Sequence, residues 1–132
     1  MSIPTQDLVS AYLHAKGEKI EAVYFQDSNF FLGWKVCRGP MQLIYRLDKD
    51  QLIICDFSVL ENAQGIGSAA RYFIIFASEI KKNIQAVQVI KGAFFFPMRD
   101  TALRIARQRR LNFLERQGGR REEKDGLLWL VF

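Results

Sequence analysis

Between Gln64 and Ala69 the chain reads Gln-Gly-Ile-Gly-Ser-Ala, two glycines one residue apart, with a β-branched and aromatic run before them and an amphipathic run after. Glycine lets a backbone turn tightly and approach a ligand closely. Where such a turn opens a helix, the first amide hydrogens have no partner within it and point at whatever lies in front, a setting suited to phosphate. A second part of the chain also favours anions. Arg99, Arg104, Arg107, Arg109, Arg110, Arg116, Arg120 and Arg121 stand against only Asp100 and Glu115, a local excess of six positive charges in a chain whose net charge is +5. Such a face holds an anionic small molecule or nucleic acid, or is simply solvated.

Other chemistries are poorly served. His14 is the only histidine and falls in the first helix, remote in sequence from the glycine turn, so no Ser-His-Asp set assembles around it. Cys37 and Cys55 are the only cysteines. Two thiols make no disulfide framework, and with one histidine they make a poor metal site, so no metal is expected. Cys55 reads as a structural thiol rather than a nucleophile. A reducing cytoplasm is the expected location. The N-terminus lacks a basic region followed by an unbroken apolar stretch, and the longest apolar run, Tyr72 to Ala77, is far short of the roughly 20 residues that cross a bilayer. A soluble protein is expected.

The elements that must position these groups follow from periodicity. At 132 residues, 49% hydrophobic and 25% charged, the chain suits one domain over residues 1–132 with one core. Thr5 is placed to cap a helix carrying Leu8, Val9, Tyr12 and Leu13, and Gly17 to end it. Strands are expected at Ile20 to Phe25, Phe30 to Val36, Met41 to Leu47 and Leu52 to Val59. Between them lie Asp27-Ser28-Asn29, Gly39-Pro40 and Asp48-Lys49-Asp50, so they read as an antiparallel meander. Ser68 to Lys82 is a helix with Ala69, Phe73, Phe76, Ala77 and Ile80 on one face. Ala86 to Phe96 is a strand closed by Pro97. Asp100 or Thr101 caps a second long helix to Gln117, with Leu103, Ala106, Arg110, Phe113 and Leu114 as its inward stripe. Arg120 to Glu123 and Leu127 to Phe132 form a hairpin about Asp125-Gly126. The fold class is α+β: a mixed, mostly antiparallel sheet of six to seven strands with helices on both faces and one right-handed parallel crossover. The wholly apolar last strand must be buried in the sheet or against another subunit, which makes a homodimer plausible.

With strand, glycine turn and helix in that order, Gln64 to Ala69 resembles motif A of the GNAT superfamily of N-acetyltransferases, whose pattern is Gln/Arg-x-x-Gly-x-Gly/Ala. The succession of elements is similar over nearly the whole chain. The resemblance implies acetyl-CoA, or another acyl-CoA, as cosubstrate, with Gln64, Gly65, Ile66, Gly67, Ser68 and Ala69 holding the pyrophosphate. Phe57, Ser58 and Val59 would pair their backbone with the pantetheine arm. Arg71, or Arg99, Arg104 and Arg107, would reach a phosphate, since guanidinium forks match phosphate oxygens. Three departures stand out. Asn62 occupies the first Gln/Arg position, the last long helix is longer than usual, and Leu114 falls where the family frequently has a tyrosine that protonates the departing thiolate.

Acyl transfer to an amine needs that amine neutral, the thioester carbonyl polarised and the two held close. Asp56 and Glu61 are the general-base candidates, and a backbone amide near Val59 is the candidate polarising donor. Tyr12, Tyr24, Tyr45 and Tyr72 are candidates for the missing phenol. The expected function is an acyl-CoA-dependent N-acyltransferase acting on an amine of a small molecule or protein. A noncatalytic GNAT-fold module that binds CoA or a partner, and a basic nucleic-acid-binding domain, are the competing readings.

Overall fold

Alternation of apolar and polar residues carries the first half of the chain back and forth through four strands. In the computed structural model, which describes residues 7–60, 66–94 and 99–132, with the backbone alone for 66–68, α1 (Leu8–Ala15) leads into β1 (Ile20–Tyr24), β2 (Phe31–Arg38), β3 (Met41–Asp48) and β4 (Gln51–Val59). Each strand pairs antiparallel with the next. Gly39 makes the β2–β3 turn at φ +52, and a Cβ there would lie 2.6 Å from the Tyr72 ring, so any other residue is strained and must displace that ring.

The remainder builds the other half of the sheet. Helix α2 (Ile66–Asn83) carries the chain across to β5 (Val89–Phe94), which lies parallel to β4. After α3 (Thr101–Arg116), β6 (Arg120–Lys124) and β7 (Leu127–Val131) form the closing hairpin. The seven described strands lie in the order β1-β2-β3-β4-β5-β7-β6, with β4–β5 the single parallel pair among them. Strand β7 therefore slots between β5 and β6. Its Leu130 and Val131 are buried there, so the sheet itself covers the apolar end of the chain.

All three helices pack on one face. Met41, Leu43 and Tyr45 are buried while the intervening residues of β3 are not. The Tyr45 hydroxyl lies 2.8 Å from that of Ser10 on α1, and its ring is 6.4 Å from that of Phe76 on α2. Phe57, the β4 partner of Leu43, meets Phe73 of α2 at 6.0 Å and Arg110 of α3 at 4.5 Å. Helices on both faces were expected; among the described residues the opposite face carries none. The reason is chemical. Val9 and Leu13 of α1 bury in the same core as Trp34, Val36, Leu43 and Tyr45, whereas the other face of the first three strands presents Glu21, Lys35 and Gln42.

Helices α1 and α3 are each capped by an aspartate. Asp100 accepts the Leu103 amide at 2.9 Å, one of the two expected caps. On α1 the cap is Asp7, which accepts the Ser10 amide at 2.8 Å. Thr5 lies outside the described residues. No described helix is long and apolar enough to cross a membrane.

Candidate functional site

The sheet forks in the middle. Along β4 the register to β3 slips between Ile44, which pairs with Asp56, and Tyr45, which pairs with Ile54, so Cys55 has no opposite residue. That is a β-bulge, which bends its strand and steepens the local twist. The parallel ladder between β4 and β5 runs from Gln51–Val89 to Ile54–Gly92 and stops. Beyond it β5 stays with β7 through Ala93–Trp129 and Phe94–Leu128, while β4 stays with β3 to Val59. Between Cys55 and Val59, β4 thus has no strand on its β5 side among the described residues, which leave that edge of the backbone unpaired.

A cavity of about 130 Å³ occupies the fork. Its walls are Ile54 to Phe57 of β4, Gly92 to Phe94 of β5, Phe73 of α2, Arg107, Arg110 and Leu114 of α3, and Leu130 and Phe132 at the end of the chain. Most of this lining is apolar and aromatic. The polar groups are few and directional, as in small-molecule sites generally.

Arg110 is the most informative of them. Its guanidinium carbon lies 4.5 Å from the centroid of the Phe57 ring, a cation–π contact, and its Nε is shut off from solvent with no hydrogen-bond partner. Burial, then the like charge of Arg107, lowers its pKa from the ordinary arginine value, and Asp56 partly opposes this. Asp56 sits exposed at the rim, where the Ser58 hydroxyl donates to its carboxylate at 3.4 Å and Gln42 donates in turn to Ser58 at 3.5 Å. Cys55 is half-buried, its Sγ 3.7 Å from the Leu32 carbonyl, and burial pushes its thiol up.

The expected site residues divide. Asp56 and Phe57 line the cavity. Val59 packs on the core, while Ser58 points to the helix-free face with Gln42, and the Asp56 carboxylate that Ser58 bonds lies on that face too, opposite Phe57. Glu61, Gln64 and Gly65 lie outside the described residues. Ile66, Gly67 and Ser68 form the first turn of α2 by their backbone. Ala69 is fully buried in the core and Arg71 is exposed on α2. Leu114, 4% exposed, does face the cavity.

None of the four tyrosines is a wall of the cavity. Tyr45 bonds Ser10, Tyr72 covers Gly39, and Tyr24 lies edge-on to Phe31 at 6.1 Å. Tyr12 lies beneath the Lys16 ammonium. The basic segment is also split: Arg107 and Arg110 turn to the cavity, Arg121 pairs with Glu115 at 2.7 Å, and Arg99, Arg109, Arg116 and Arg120 are exposed. The spacing of Arg107, Arg110 and Leu114 along one face of α3 was the available sign of the inward pair.

Among the described residues no group of three or more His, Cys, Asp and Glu side chains could hold a metal ion. Neither a family model, nor a curated protein, nor a solved structure matches the chain.

Proposed function

We propose that the chain is a GNAT-like, acyl-CoA-dependent N-acyltransferase acting on an amine of a small molecule or protein. One observation carries the reading: β4 and β5 part immediately after Ile54–Gly92, so that among the described residues the β4 edge is unpaired along a cavity. A pantetheine arm is an extended chain with two amides, and an open strand edge satisfies such groups by the hydrogen bonding that adds a strand to a sheet. The glycine-bearing turn into α2 follows the same strand, which suits a pyrophosphate at the other end of the arm.

In this reading the amine nitrogen attacks the thioester carbonyl carbon. A C–N bond forms, the C–S bond breaks, and the proton lost by the amine ends on the thiolate. Asp56, at the rim on the helix-free side of β4, takes that proton through water, with Glu61 the second candidate. A backbone amide of the bulged strand polarises the carbonyl. Leu114 cannot protonate the thiolate, and its place in the cavity wall favours a second reading, a module that binds CoA without transferring the acyl group.

Titration with acetyl-CoA, read as thermal stability, tests binding, because a ligand of the folded state alone must raise apparent stability. Release of free thiol over a panel of amines then separates transfer from binding. Stabilisation with thiol release supports the enzyme, stabilisation without it supports the module, and no stabilisation rejects both.

A further inference from the structure

The fork cavity has walls suited to hydrocarbon and one group that is not. Ile54, Phe57, Phe73, Phe94, Leu114 and Phe132 make the apolar surface, and Arg110 brings a positive charge to it. The buried Nε of Arg110 has no acceptor, and no described carboxylate lies within ion-pair distance of this side chain. Asp56, whose charge Arg110 does feel, is exposed and takes its hydrogen bond from Ser58. A part-buried guanidinium at a cavity wall, with no carboxylate paired to it among the described residues, is a receptor for an anion.

Size and valence narrow that anion. A cavity of about 130 Å³ is close to the roughly 150 Å³ that admits one benzene molecule in an engineered apolar cavity, so it takes a compact body of a few carbons. Phosphate would turn most of its oxygens toward apolar walls, where they would go unsatisfied. A carboxylate has two oxygens, and a guanidinium presents donors in a matching fork. Arg107 adds positive charge on the same side.

We propose that the fork cavity receives the carboxylate end of a short dicarboxylic acyl group, such as succinyl, with Arg110 as its counter-ion. The proposal rests on the acyltransferase reading for the thioester that carries this group.

The test is calorimetric titration of the wild-type protein with succinyl-CoA and acetyl-CoA, and with butyrate and butyramide as carrier-free probes. Succinyl-CoA is expected to bind at least about tenfold more tightly than acetyl-CoA, as one charge-assisted hydrogen-bonded pair supplies. Arg110→Gln is expected to bring the two thioesters to near parity while keeping acetyl-CoA binding, and Arg110→Lys to keep part of the preference. Equal wild-type affinities for the two thioesters overturn the proposal and spare the acyltransferase reading. Preference for butyrate over butyramide with neither thioester bound keeps a carboxylate site and rejects the thioester carrier. Binding of none of the four rejects both. Since the wild-type ratio decides by itself, a variant that fails to fold does not remove the test.

Discussion

Ile54 and Gly92 form the last rung between β4 and β5, and the next residue of β4, Cys55, is the one that β3 leaves unpaired. The bulge and the fork therefore have one cause. An extra residue on β4 rotates the strand away from β5 at the point where α2, α3 and β7 leave room for a cavity.

Gly92 holds that rung close. A Cβ there would stand 3.3 Å from the Cβ of Ile54. Gly92→Val is expected to destabilise the fold by about 1–3 kcal/mol through overpacking, measured by urea unfolding, and to weaken acetyl-CoA binding. A fully stable Gly92→Val variant would show that the strands tolerate wider separation at this rung.

The two cysteines should react unequally. Cys37 is exposed, whereas Cys55 is half-buried in the cavity wall with its thiol pushed up by burial. A raised thiol leaves less thiolate at neutral pH, so iodoacetamide should label Cys37 first and Cys55 slowly, with Cys55 accelerating as pH rises. Acyl-CoA should slow Cys55 further and leave Cys37 alone. Mass spectrometry of the labelled peptides reads both effects.

Tyr45 separates stability from chemistry. Its hydroxyl meets Ser10, which also donates to Asp7 at 3.2 Å. Tyr45→Phe is expected to cost about 1 kcal/mol, since one buried hydrogen bond is lost and Ser10 keeps Asp7. Thiol release should not change, because Tyr45 does not line the cavity and its hydroxyl is turned to Ser10 of α1. A large drop in turnover with unchanged stability would restore Tyr45 as a general acid.

Arg38, the last residue of β2, ties the loop between α1 and β1 to α2. It bonds Glu18 at 2.6 and 2.7 Å and Glu79 of α2 at 3.0 Å, with its guanidinium 5.2 Å from the Phe76 ring centroid. Arg38→Met is expected to cost about 2 kcal/mol at neutral pH, as it strands two part-buried carboxylates. The hydrogen bond from Arg38 holds the Glu79 carboxyl below its ordinary value. A carboxyl depressed on folding contributes stability that is full above the ordinary glutamate range and is lost as pH falls through its folded value. Wild-type stability should therefore fall on acidification with a Glu79 component that Arg38→Met largely lacks, as urea unfolding across acid pH would reveal.

The elements were legible wherever periodicity was strong. Ala69, Phe73, Phe76, Ala77 and Ile80 mark the buried face of α2, and Asp125-Gly126 marks the final hairpin. The side of the sheet that a helix chooses is less legible, because the stripe of α1 says that one helix face is buried and not against which sheet face. On α3 the stripe drifted: Leu103 is 39% exposed and Leu111 is fully buried. The bulge at Cys55 was invisible, since Gln51 to Val59 runs through it without glycine or proline, and register depends on pairing with β3. Of the candidate site, Asp56, Phe57, Arg110 and Leu114 could be read from the chain. Gly92 and Phe132 could not, because only the strand order brings them to β4.

The most direct test of the central claim is an amide chemical-shift titration of the labelled protein with acetyl-CoA. Saturable shifts concentrated at Cys55 to Val59, Gly92 to Phe94 and the first turn of α2 are the expected result. Saturating acetyl-CoA that leaves these amides unmoved would contradict the assignment of the forked sheet as an acyl-CoA site.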